Sequence, residues 1–152
     1  MPMWKSILCG INSRPGCIEA VRLAARLARD QSATLVLLHV EKETGGEALL
    51  APPPAMVAAR EDHTARLSGL ASDVRGEAVR TEYATGDPAA GIVDFVRKAG
   101  CDLIVLGSHA HNRATLALTS VVGKVLAHAP CPVIVVPSGM EDLQPDFPGQ
   151  VA

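Results

Sequence analysis

One polar loop, placed between two apolar strands, holds most of the chain's candidate chemistry. Asp102-Leu-Ile-Val-Leu-Gly107 is apolar up to its glycine, and His109, His111, Arg113, Thr119, Ser120 and Lys124 follow. Backbone N–H groups at a helix start attract anions. Thr119-Ser120 opening a helix, with those basic residues near, suits a phosphate. The same residues equally suit a plain helix cap with solvated basic side chains, and the sequence leaves both readings open. His109-x-His111 offers two imidazoles, which are good metal ligands. No third ligand stands near them, so ordinary solvated histidines and no metal are expected. Ser108 has no G-x-S-x-G elbow around it. P-loop and dinucleotide fingerprints are absent as well. Asp73, Glu77 and Asp94 read as solvated surface. No positioned base or metal-binding carboxylate pair emerges, so no catalytic residue is assigned.

These residues need a scaffold, and the composition allows one. The chain has 152 residues, enough for one compact core. It is 48% hydrophobic and 20% charged, with net charge -2, so no basic field for nucleic acid or an anionic membrane is implied. Aromatic residues are only 3%, too few for base-stacking platforms. No apolar run approaches the roughly 20 residues of a membrane span. The opening MPMWKSILCGIN has too short an apolar core for a signal peptide, which points to the cytoplasm. Cys9, Cys17, Cys101 and Cys131 form no C-x-x-C pair and are expected to be reduced thiols acting as small hydrophobes.

The periodicity alternates between strand and helix. Strands are expected at Ser6 to Ile11, Thr34 to Val40, Glu77 to Ala84, Asp102 to Leu106 and Pro132 to Val136. The first two and the fourth are apolar throughout, as in strands buried on both faces. The third alternates, as an edge strand does. Helices are expected up to Asp30, from about Ala55 to Arg75 with Val57 among its core contacts, from Pro88 to Gly100, and from about Thr119 to His128. Asp87 should cap the third helix, Pro88 open it and Gly100 end it. Glu41 to Pro54, with its glycine and proline clusters, reads as a mobile loop. Residues 1–138 form one domain in this reading, and 139–152 a flexible tail.

The order βαβαβαβαβ predicts an α/β fold: a five-stranded parallel, doubly wound sheet of strand order 3-2-1-4-5, with helices on both faces. Ligands of such sheets sit beyond the carboxyl ends of the strands, where the winding reverses. The candidate lining is Asn12 and Ser13 after the first strand, His39 and Val40 ending the second, and the loop from Gly107 to Ser120. His39 itself reads as a hydrogen-bonded rim residue.

Several segments then point to a family. They are Ile7 to Ala28, Leu35-Val-Leu-Leu-His-Val40, Gly86-Asp87-Pro88, Asp102-Leu-Ile-Val-Leu-Gly-Ser108 and Val125-Leu-Ala-His-Ala-Pro-Cys-Pro-Val-Ile-Val-Val136. In this order and spacing the chain resembles the universal stress protein family over about residues 4 to 138. The resemblance implies a small α/β domain that dimerises through its last strand (Val133, Ile134, Val135 and Val136) and serves stress survival. Some members bind ATP through G-x-x-G and, after a longer spacer, G-[S/T]; others lack the motif and do not.

This chain departs from the ATP pattern. Gly107 matches the first glycine, but Ala110 replaces the second and Thr119 the third, before Ser120. A Cβ at such positions penalises positive φ and close approach to phosphate. The spacer is also one residue short. Asn12 stands where ATP-binding relatives carry an aspartate; it keeps an acceptor and loses the charge. These departures argue against tight ATP binding and leave ATP or AMP as open ligands, with no cofactor firmly assigned. If a nucleotide binds, Val40 would offer backbone groups to adenine. Gly107, His109, Ala110, Thr119, Ser120 and Val121 would flank the phosphates, with Asn12 and Ser13 beside the adenosine. The expectation is a dimeric, non-enzymatic stress protein working through protein partners. A nucleotide-responsive switch is the alternative, and a slow ATPase the third reading.

Overall fold

The computed structural model describes residues 2–11, 17–42, 79–108 and 120–137, and eight helical positions between 54 and 69. The elements are β1 (Ser6–Ile11), α1 (Cys17–Gln31), β2 (Thr34–Glu41), β3 (Val79–Thr85), α2 (Pro88–Ala99), β4 (Leu103–Ser108), α3 (Val121–His128) and β5 (Val133–Pro137). The sheet order is β3-β2-β1-β4-β5 and every pairing is parallel. The expected architecture therefore holds, with β3 at one edge and β5 at the other.

The central strands explain why. Ile7, Leu8 and Cys9 are consecutive and all 0% exposed, so side chains on both faces of β1 need cover. On one face Ile7, Cys9 and Ile11 join Leu35, Leu37, Leu103 and Val105 beneath α1. That helix presents Ala20, Ala24, Ala25 and Ala28, small residues that let it approach the sheet closely. On the other face Leu8, Leu38, Ile104 and Leu106 pack against Ile92 and Val96 of α2 and Val122 and Val125 of α3. Burial on both faces keeps charged and hydrogen-bonding side chains out of the strand interiors and leaves them to the strand ends.

Helix ends follow the local signals. The Asp87 carboxylate accepts from the Ala90 N–H at 2.9 Å, and Pro88 sits in the first turn of α2. Gly100 ends that helix at φ 71°, its N–H donating to the Val96 carbonyl. The left-handed conformation explains the glycine: a Cβ there is strained.

Some boundaries differ from the expectations. Glu41 is not loop but the last residue of β2, paired with Thr85. β4 runs two residues further than Leu106, because Gly107 and Ser108 pair with Val136 and Pro137. Val57, expected in the core, is 36% exposed and helical. Its apolar side chain alone fixed no facing. Residues 43–53 and 138–152 lie outside the described residues, and the expected mobile loop and C-terminal tail largely fall there.

Asp102 ties the amino edge of the sheet together. Its two carboxylate oxygens accept from the Lys5 N–H (2.9 Å) and the Ser6 N–H (3.1 Å), and its own N–H donates to the Ser6 carbonyl. Hydrogen bonds to a charged group are worth more than neutral ones. Replacing Asp102 with Ala should therefore lower stability by about 2 kcal/mol. Urea denaturation checks this, with a fall in midpoint expected at an unchanged slope.

Candidate functional site

Reversal of the winding puts the candidate cleft between β1 and β4. From β1 the chain winds one way to β2 and β3; β4 and β5 lie on the other side of β1. Gly10 pairs with Leu38 on one side and Leu106 on the other, so the carboxyl ends of β2, β1 and β4 stand side by side. Crevices beyond such ends are where open α/β sheets bind ligands.

Of the nine site residues read from the sequence, four lie among the described residues. Val40 is half-buried near the end of β2, paired with Ala84. Gly107 is half-buried in β4 beside Val136. Ser120 is the N-cap of α3, its hydroxyl accepting from the Gly123 N–H at 3.0 Å. Val121 follows as the first helical residue and is 40% exposed. The capping role weighed for Ser120 is thus realised, and it coexists with a helix N-terminus that faces the cleft side of the sheet. Asn12, Ser13, His109, Ala110 and Thr119 lie outside the described residues, as do His111 and Arg113.

Two features were not read from the sequence. Gly91 of α2 lies so close to β2 that a Cβ built on it would be 2.9 Å from Cγ1 of Val40. A lone glycine inside a helix of otherwise ordinary residues is the signal that marks such an approach. The second is an ion pair: Lys124 Nζ of α3 lies 4.0 Å from Asp87 Oδ1 at the start of α2. Both side chains are about half exposed, so the pair adds little stability. It does bring the amino ends of α2 and α3 together above the sheet. Gly86 joins the same edge by donating its N–H to the Glu41 carbonyl at 2.8 Å.

His39 sits at the rim and stacks on Tyr83, ring centroids 6.0 Å apart and planes 30° apart. Asp94, read as surface, is exposed. The described cleft wall is thus made of Val40, Gly107, backbone N–H groups and one ammonium. Among the described residues no group of three His, Cys, Asp or Glu could hold a metal ion, and no helix is long and apolar enough to cross a membrane. The four cysteines are unbridged. Burial pushes the Cys131 thiol up, the neighbouring Cys101 thiol and Asp102 carboxylate adding to it.

Comparison with known proteins decides the family. The universal stress protein family profile matches residues 3–137. The chain belongs to the universal stress protein family. Universal stress protein A homolog 1 of Coxiella burnetii (strain RSA 493 / Nine Mile phase I) is 28% identical over 138 residues, covering 88% of this chain and 96% of that protein. The structure of universal stress protein UspA from Lactobacillus plantarum superposes with a TM-score of 0.70 at 26% identity, covering 87% of this chain and 97% of that one. A universal stress protein from Archaeoglobus fulgidus, solved in complex with dAMP, shares the fold with a TM-score of 0.65 at 17% identity, covering 90% of this chain and 99% of that one. The resemblance read from the flanking strands is borne out over nearly the same span.

The Gly91 contact generates a prediction. Helix propensity favours alanine over glycine by about 1 kcal/mol. Overpacking a tight contact costs about 1–3 kcal/mol. The β-branched Val40 side chain has little room to turn, so the clash should win. Gly91→Ala is expected to lower the thermal midpoint, and Gly91→Ala with Val40→Ala to recover much of the loss, both read by calorimetry.

Proposed function

We propose that this chain is a dimeric, non-catalytic stress-response protein that acts through protein partners and whose nucleotide cleft has lost a firm grip on ATP. The observation that carries the reading is the pair Ala110 and Thr119 standing where ATP-binding relatives carry glycine, in a spacer one residue short. A phosphate chain needs the backbone to come close and turn through positive φ, and side chains at both positions oppose that. The described part of the cleft adds no carboxylate set for metal-assisted hydrolysis. Asp87, the carboxylate nearest the meeting of α2 and α3, is engaged in capping α2 and facing Lys124. The slow ATPase is therefore the weakest reading.

A second reading rests on a specific observation: the Archaeoglobus fulgidus relative was solved with dAMP, a nucleotide with one phosphate. Such a ligand asks less of the glycine loop. Val40 on the adenine side and the α3 amino end capped by Ser120 would serve it, making the protein an AMP-type switch. Thermal unfolding with millimolar Mg-ATP, ADP and AMP separates the two. A ligand at about 100 times its Kd adds roughly 2.7 kcal/mol. The first reading expects no shift with any of the three. A shift with AMP or ATP would favour the nucleotide-responsive switch and overturn the first reading, and no shift with any of the three would sink the switch.

The dimer is proposed through β5. Its outer edge has no strand partner among the described residues, while Val133, Ile134 and Val135 are only half-buried and Val136 is buried. An apolar edge strand with unpaired main chain invites pairing with a copy of itself. The wild type should run at twice the chain mass at micromolar concentration by light scattering, and Ile134→Lys should run as a folded monomer. A monomeric wild type would contradict the proposal.

A further inference from the structure

Two buried thiols converge on one backbone oxygen. The sulfur of Cys9 and the sulfur of Cys17 each lie 3.9 Å from the Gly10 carbonyl oxygen. The two sulfurs are therefore within twice that distance of each other. Cys9 lies in the middle of β1 and Cys17 opens α1, and both sit in the same apolar cluster under that helix. Burial holds the Cys9 thiol well above the ordinary thiol range, and the Cys17 thiol beside it adds to the shift. The cleft does not use either side chain.

We propose that Cys9 and Cys17 form an oxidisable dithiol, which a peroxide converts to an intramolecular disulfide tying β1 to the start of α1. In the first step the Cys17 sulfur attacks one peroxide oxygen and the O–O bond breaks. The sulfur becomes a sulfenic acid, and the other oxygen leaves with the thiol proton as water. In the second step the Cys9 thiol gives up its proton and its sulfur attacks the sulfenic sulfur. The S–S bond forms and a second water leaves. Together the two sulfurs give up two electrons and the peroxide takes them. Cys17 goes first because it opens α1, whereas Cys9 is enclosed in the middle of β1. Cys9, fully enclosed in the strand, is the resolving thiol. Closure asks for Cα atoms about 4.4–6.8 Å apart.

The sign of the pH effect follows from the raised Cys9 thiol. At neutral pH Cys9 is protonated and the second step is slow. The rate should climb close to tenfold per pH unit while the thiolate is the minor form. The test is peptide mapping of the full chain after native hydrogen peroxide treatment and alkylation of the remaining thiols. The expected product joins Cys9 to Cys17, is two hydrogens lighter, forms faster at higher pH and is reversed by dithiothreitol. It should persist in Cys101→Ser with Cys131→Ser and vanish in Cys17→Ser. Should Cys17→Ser fail to fold, the wild-type map alone decides. A cross-link between Cys101 and Cys131, oxidation confined to Cys131, or two unmodified thiols at positions 9 and 17 would each overturn the proposal.

Discussion

Everything functional in this molecule depends on the burial of β1 and β4 from both sides. With Ile7, Leu8, Cys9, Leu103, Ile104 and Val105 all sealed, the sheet centre carries no polar side chain besides the Cys9 thiol. The main-chain groups there are taken up by the parallel ladders to β2 and β5. Other polar side chains are displaced to the strand ends, where the ladder stops and helix amino ends begin. At roughly 25 cal/mol per Å² of apolar surface, this double burial is also the main source of stability.

The two ends of the sheet are used differently. At the amino edge the Asp102 carboxylate bridges the entries of β1 and β4, and Gln31 Oε1 accepts from the Met3 N–H. That edge is closed by hydrogen bonds and holds the register. At the carboxyl edge the contacts are looser: a half-exposed ion pair, a glycine against a valine, a capped helix start. The ligand cleft proposed above lies at this looser edge. In the sequence, Ala110 and Thr119 stand in the loop that follows this edge.

Much of the fold was legible because it rests on short-range signals. The unbroken apolar run at Ile7 to Cys9 announced a doubly covered strand, and Asp87-Pro88 with Gly100 bracketed α2. Strand ends were less legible. Whether Gly107 and Ser108 extend β4 depends on Val136 and Pro137, far away in the chain. Val57 shows the same limit in a helix, since an apolar residue does not state which neighbour will cover it. Of the candidate site residues, Val40 and Gly107 lie in strands and Ser120 caps α3. Gly91 and the Asp87–Lys124 pair escaped because both arise from packing of α2 against elements distant in sequence.

The central claim is that family membership here does not bring the ATP of some relatives with it. The most direct measurement is the nucleotide content of the protein as purified from cells without added ligand, released by denaturation and separated by chromatography. The account predicts no stoichiometric ATP. An ATP content approaching one per chain would contradict it.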